Sequence, residues 1–218
     1  NLNSNDYFVQ LQNNEKRLDK SFTFARNALR GATESSLVQV YTHSGAAAVK
    51  WPFNEVFSVR GTYSYSHTKY IALSTDSYNL GLDDEIQTIT GLRAELIFDN
   101  SLSLGQNLIQ GAKVKLFGES YILPNNENEL MHVVGVDARH YTKVHRKIVW
   151  ANRLAASSSF GPSKVVYYLG GADNWLFPKV DLSTGIDFNN GYRYQALAGP
   201  MRGFLNNARN GNNFAAIN

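Results

Sequence analysis

The sequence predicts an all-β chain that folds as part of an antiparallel transmembrane β-barrel. Apolar and polar residues alternate with period two along most of the 218 residues, and no stretch repeats apolar residues at i, i+3, i+4 and i+7 over a dozen positions. The alternating segments also run for about 10 to 14 residues, longer than the 5 or 6 usual in soluble sheets. A strand of about 10 residues rising about 3.3 Å each and tilted near 45° spans roughly 25 Å, the height of the apolar band of an outer-membrane barrel.

Taken in chain order, strands are expected near 21–29, 36–49, 55–73, 86–98, 109–123, 130–142, 146–159 and 163–169, with another starting at Asn213. The segment from Val9 to Leu18 reads as extended chain on both sides of an Asn-Asn-Glu-Lys turn. Between Val56 and Tyr65, Phe57, Val59, Gly61, Tyr63 and Tyr65 oppose Ser58, Arg60, Thr62 and Ser64. From Ile86 to Phe98, Ile86, Leu92, Ala94, Leu96 and Phe98 share one face, against Gln87, Arg93 and Glu95. Ala112, Val114, Leu116, Gly118 and Ile122 likewise oppose Lys113, Lys115, Glu119 and Tyr121, and Val134, Val136 and Ala138 oppose Asp137 and Arg139. Gly31-Ala32-Thr33, Asp83-Asp84, Asp99-Asn100-Ser101 and Pro124 to Asn128 supply polar turns between these runs.

Alternation by itself fits two classes. A soluble sandwich turns the apolar face inward, whereas a membrane barrel turns it to lipid and lines its lumen with the charged face. Strand length, aromatics at 12% with Tyr41, Tyr70, Tyr78, Tyr121 and Tyr141 near expected strand ends, and small residues within the apolar rows favour the barrel. About 8–9 strands with open edges cannot stand in lipid, so residues 1–218 are expected to be part of a larger barrel closed by further chain. The start at Asn1-Leu2-Asn3 without Met, and the stop at Ala215-Ala216-Ile217-Asn218 as a strand begins, read the same way.

Composition narrows the function classes. Lys+Arg number 21 against 18 Asp+Glu, a net charge of +3, and no basic run exceeds the Arg146-Lys147 pair, so no nucleic-acid partner is expected. Cysteine is absent, which removes thiolate chemistry and Cys-held metal. No stretch approaches the roughly 20 apolar residues of a membrane helix.

From Lys164 the chain reads Lys-Val-Val-Tyr-Tyr-Leu-Gly-Gly, ending on Gly170 and Gly171, and later Gly199-Pro200-Met201-Arg202-Gly203-Phe204. These motifs resemble the C-terminal barrel of the bacterial surface antigen superfamily, the outer-membrane assembly factors and two-partner secretion transporters. The resemblance covers roughly residues 86–218; Met201 departs from the usual Val or Ile, and the insertion from Asp173 to Ala198 is long for the family. It implies that Gly170 and Gly171 hinge a loop, approximately 170–212, that folds into the lumen. Arg202, Gly203 and Phe204 would be its tip, the Arg offering five donors to the opposite wall. By the same resemblance the chain acts in inserting or translocating proteins, as a non-enzyme without cofactor in the cell outer membrane. Its expected partners are outer-membrane lipid and other outer-membrane or periplasmic proteins. An accessory barrel plugged by that loop and a soluble β-sandwich binding module are the alternatives.

Candidate chemistry elsewhere is weak. His43 and Ser44 are neighbours on a strand and point to opposite faces, which disfavours a Ser-His pair. His140 and His145 lie among Lys143 and Arg146, where cations repel a metal. Asp83-Asp84-Glu85 lacks the spaced ligands of a calcium loop. No catalytic, cofactor-binding or metal residue is therefore expected, and Trp51 and Trp150 read as interface anchors.

Overall fold

Period-two alternation keeps both faces of a strand chemically distinct, and the chain is extended wherever it occurs. A computed structural model of the chain describes residues 7–13, 18–32, 37–73, 85–105, 108–124, 129–146, 148–170, 191–199 and 207–218. The described strands are β1 (Tyr7–Asn13), β2 (Asp19–Ala32), β3 (Leu37–Pro52), β4 (Phe57–Leu73), β5 (Glu85–Asp99), β6 (Leu102–Gly105), β7 (Leu108–Leu123), β8 (Glu129–His145), β9 (Ile148–Phe160), β10 (Lys164–Leu169), β11 (Tyr192–Gly199), β12 (Arg209–Gly211) and β13 (Asn213–Ile217). The chain is all-β and its sheet is mostly antiparallel. Strands β2, β3, β4, β5, β7, β8 and β9 each hold 13 to 17 residues.

The main sheet has the order β1-β2-β3-β4-β5-β7-β8-β9-β13, with β6 paired to β7. Among the described strands, β1 and β13 stand at the two ends of that order. A second, three-stranded sheet has the order β11-β10-β12.

Two expectations change here. The segment at 163–169 is a strand, but it does not continue the main sheet: β13 pairs with β9 instead, Ala215 opposite Ala156. Gly161 has φ +117 and lies against the Leu130 carbonyl, so with Pro162 it turns the chain off the sheet. Val165, Val166 and Tyr167 are moreover consecutive and all buried, a run that needs cover on both faces rather than on one. The second change is that β10 and β11 run parallel, which the long connection 170–191 permits. At the first predicted turn, Gly31 and Ala32 are still paired, with Val38 and Leu37, so any reversal falls at 33–36, outside the described residues. At the β5 end the expected turn forms: the Asp99 carboxylate accepts from the Ser101 N–H at 3.0 Å and its hydroxyl at 2.6 Å.

The chain divides into two compact units, one of residues 1–51, 60–93 and 121–129, the other of 52–59, 94–120 and 130–218. In the first, register sets Val9 and Leu11 opposite Phe24 and Phe22, and those opposite Gly45 and Ala47. This face is exposed at Leu11, Phe22, Val49, Trp51, Tyr63, Tyr65 and Leu92. Phe8, also exposed, stands on the opposite face.

In the second unit the even-numbered rows are equally open. Leu96, Leu116, Val134, Trp150, Leu154 and Phe160 are exposed, as is Ile217 opposite Leu154, and the rings of Phe57 and Phe98 meet at 5.0 Å. The odd-numbered rows of the same strands are the covered ones, with Glu95, Met131, Val133, Ala155, Ser157 and Ser159 buried. For Glu95, Ser157 and Ser159 burial is thus inverted relative to a water-soluble sheet, while Met131 and Val133 are apolar members of the same covered face.

Gly135 belongs to the covered face, where a Cβ would collide with the Phe117 ring and come within 2.9 Å of the Ala156 carbonyl. An aromatic ring of β7 lies over a glycine of β8, an arrangement that pins the register of the pair. Gly135→Val is expected to destabilise the fold by about 1–3 kcal/mol in denaturant unfolding, and Phe117→Ala on that background to recover part of the loss.

Candidate functional site

The covered face of β8 and β9 is where the second sheet docks. Alternation places Arg153, Ala155, Ser157 and Ser159 of β9 on this side, because Ser157 stands opposite Gly135 and Ala155 opposite Asp137. Ser159 is fully buried, and its hydroxyl oxygen accepts from the Val165 N–H at 2.8 Å. The Ser157 hydroxyl donates to the Val134 carbonyl at 3.0 Å, so its single proton is spent. The Tyr167 hydroxyl, 2.8 Å away, must then donate to Ser157 Oγ. Burial raises the Tyr167 phenol above its ordinary 10.0, and the Glu119 charge adds to that shift. The Tyr167 ring packs on Phe214 of β13 at 4.9 Å.

The turn leading into β10 is held as firmly. Ser163 is fully buried, its N–H donates to the Leu130 carbonyl at 3.3 Å, and the Lys164 N–H donates to the Gly191 carbonyl at 2.9 Å. On the return, the Ser159 N–H donates to the Asn212 carbonyl at 2.8 Å and the Asn212 side-chain amide donates to the Ser159 carbonyl at 3.0 Å. The excursion from β9 to β13 leaves and rejoins the main sheet at adjoining points.

Along the same face runs a row of paired charges. Asp137 accepts from Arg139 at 3.1 and 3.0 Å and from Arg153 at 3.3 and 2.9 Å, two guanidinium forks on one carboxylate. Arg139 and Arg153 are direct cross-strand partners, so the shared carboxylate separates like charges that would otherwise repel. Lys113 pairs with Asp99 at 3.0 Å, and Lys115 lies 3.8 Å from the buried Glu95. The face is a polar wall with fixed charges and a bound segment of its own chain. Chemically it can hold a peptide segment by main-chain and hydroxyl contacts and can present cations to a passing group.

Of the residues singled out from sequence, Gly170 follows β10, is buried and has φ +127, a backbone that favours glycine. Gly171, Arg202, Gly203 and Phe204 lie outside the described residues. The described parts of the expected loop at 170–212 include β11 and β12, which flank β10: Leu169 is opposite Gly199 on one side and Arg209 on the other. His43 and Ser44 stand opposite Arg26 and Ala25 and so on different faces. The His140 ring nitrogen Nδ1 is 3.2 Å from the Thr142 hydroxyl. Asp83 and Asp84 lie outside the described residues, and among the described residues no group of three His, Asp or Glu could hold a metal. Trp51 and Trp150 are exposed on the apolar face.

Sequence reasoning missed the anchoring pair Ser157 and Ser159. The signal was present: small hydroxyl residues at alternate positions of a long strand, on the row that also carries Arg153. No family model matches the chain, and no curated protein matches it.

Ser159→Ala removes the acceptor of a buried N–H, which costs about 1–3 kcal/mol. Hydrogen exchange at the Val165 amide is expected to quicken while exchange in β2 and β3 stays unchanged.

Proposed function

We propose that residues 1–218 are part of an outer-membrane β-barrel that works in the insertion or translocation of proteins. The observation that carries this reading is the inversion of burial in the second unit, where Leu116, Val134, Leu154 and Trp150 are exposed while Glu95, Ser157 and Ser159 are buried. In water such rows would cost about 25 cal/mol for each Å² of apolar surface, whereas in a bilayer they meet acyl chains at no such cost. Strands of 13 to 17 residues are long enough to cross. The soluble sandwich is disfavoured by the same rows, since its apolar face would be the covered one. The transport role rests on the resemblance of Leu169-Gly170-Gly171 and Arg202-Gly203-Phe204 to the surface antigen superfamily, an argument by analogy.

A second reading, an accessory barrel whose lumen is filled by its own chain, has the docked β10 sheet in its favour. The Ser157 and Ser159 contacts hold that sheet on the polar face.

Cysteine labelling tests the membrane reading, because the chain contains no native cysteine. Leu116→Cys is expected to react with a lipid-restricted probe and Lys113→Cys, one row over on the other face, only with small aqueous reagents. Aqueous labelling of Leu116→Cys with none from lipid would overturn it.

A disulfide between Ser159→Cys and Val165→Cys separates transport from accessory function. If the docked sheet must move for cargo to pass, the oxidised protein loses transport and regains it on reduction. Unchanged activity in both states would favour the accessory barrel.

A further inference from the structure

Cations interrupt the exposed apolar face of the first unit. Register places Arg26 of β2 opposite His43 of β3, on the row that carries Val9, Leu11, Phe22, Phe24 and Val49. The Thr42 and Thr68 hydroxyls meet at 3.3 Å on the other side of the sheet, so His67 and Lys69 of β4 share the face of Arg26 and His43. His67 Nδ1 is held 3.0 Å from the Thr88 hydroxyl of β5, which keeps its ring on this face. Arg26 lies over the Tyr41 ring, 6.0 Å from its centroid, and its Nε is buried without a hydrogen-bond partner. Among the described residues of β1 to β5 in this unit, no Asp or Glu stands on that face.

A guanidinium set beside Phe22, Phe24, Val9 and Leu11, with other cations rather than carboxylates on its face, is costly unless an anion meets it. No carboxylate of these strands does. Phosphate suits the position: Arg offers a planar fork to its oxygens, the imidazoles add donors when protonated, and the Tyr41 ring backs the cation. The residues below, Phe22, Phe24, Val9 and Leu11, are an apolar strip on which acyl chains would lie. We infer that Arg26 and His43, with His67 beside them, form a binding site for the phosphate headgroup of an anionic membrane lipid.

This inference rests on the reading that the apolar face meets lipid. The test uses the full protein in nanodiscs of phosphatidylcholine with an equal share of phosphatidylglycerol, and native mass spectrometry counts the lipids retained on mild delipidation. Phosphatidylglycerol is expected to be retained in preference to phosphatidylcholine, and Arg26→Gln to retain about fivefold less of it for the one cation removed. Arg26→Lys keeps the charge without the fork and is expected to fall between the two.

Equal retention of both lipids by the unaltered protein would overturn the inference whether or not the variants fold. So would inorganic phosphate binding in lipid-free detergent with equal affinity, which would make the site one for free phosphate. Lipid-probe labelling of Leu92→Cys, on the same face and away from the cations, separates the two levels. Labelled Leu92→Cys with no phosphatidylglycerol preference ends this inference alone, and unlabelled Leu92→Cys ends the membrane reading with it.

Discussion

In β5, β7, β8 and β9 several polar side chains are covered while many large apolar ones are open. Glu95 and Ser159 are among the most buried polar residues, while Leu92, Leu116 and Trp150 stand exposed. A strand satisfies its backbone laterally and leaves only its two faces to be matched to their surroundings. The rest of the molecule follows from which surroundings each face is given. Long strands, small residues in the apolar rows and Tyr or Trp among them are what a lipid-facing row tolerates. Ion pairs at Glu95 and Asp137 are what a sequestered polar face needs, since each carboxylate taken from water must find a cation.

The polar face also has to accept a second sheet, and it does so through few, well-placed groups. Ser159 accepts one main-chain N–H of β10 and Ser157 accepts the Tyr167 phenol, so the docked strand is located along and across β9. Apolar cover completes the contact, with Val165 and Val166 buried and Tyr167 packed on Phe214. Gly161 makes the geometry reachable, because the chain must reverse against the Leu130 carbonyl where a side chain would not fit. Hydroxyl contacts of this kind are worth roughly 1 kcal/mol each when made and more when broken, which suits a segment held in one place.

The two arginines on Asp137 illustrate the same economy of charge. One carboxylate neutralises one of two guanidiniums, and Arg139 is the more exposed of the pair.

Much of this was legible in the residues themselves, and the limits are physical. Alternation in 86–98, 112–122 and 130–142 determined strand type and which residues share a face, since the pleat has period two whatever the strand packs on. The Asp99 to Ser101 turn was legible because an Asx carboxylate acts within its own few residues. Arg202, Gly203 and Phe204 lie outside the described residues, so the motif stands on its resemblance. What only tertiary structure decided was partner choice: β13, not β10, pairs with β9, and β10 lies parallel to β11. Val165 to Leu169 looks like any short buried strand in isolation. Its place depends on Ser159 just before it in the chain and on the Lys164–Gly191 and Ser159–Asn212 bonds, the latter two far apart in sequence and of worth only once the intervening chain has closed.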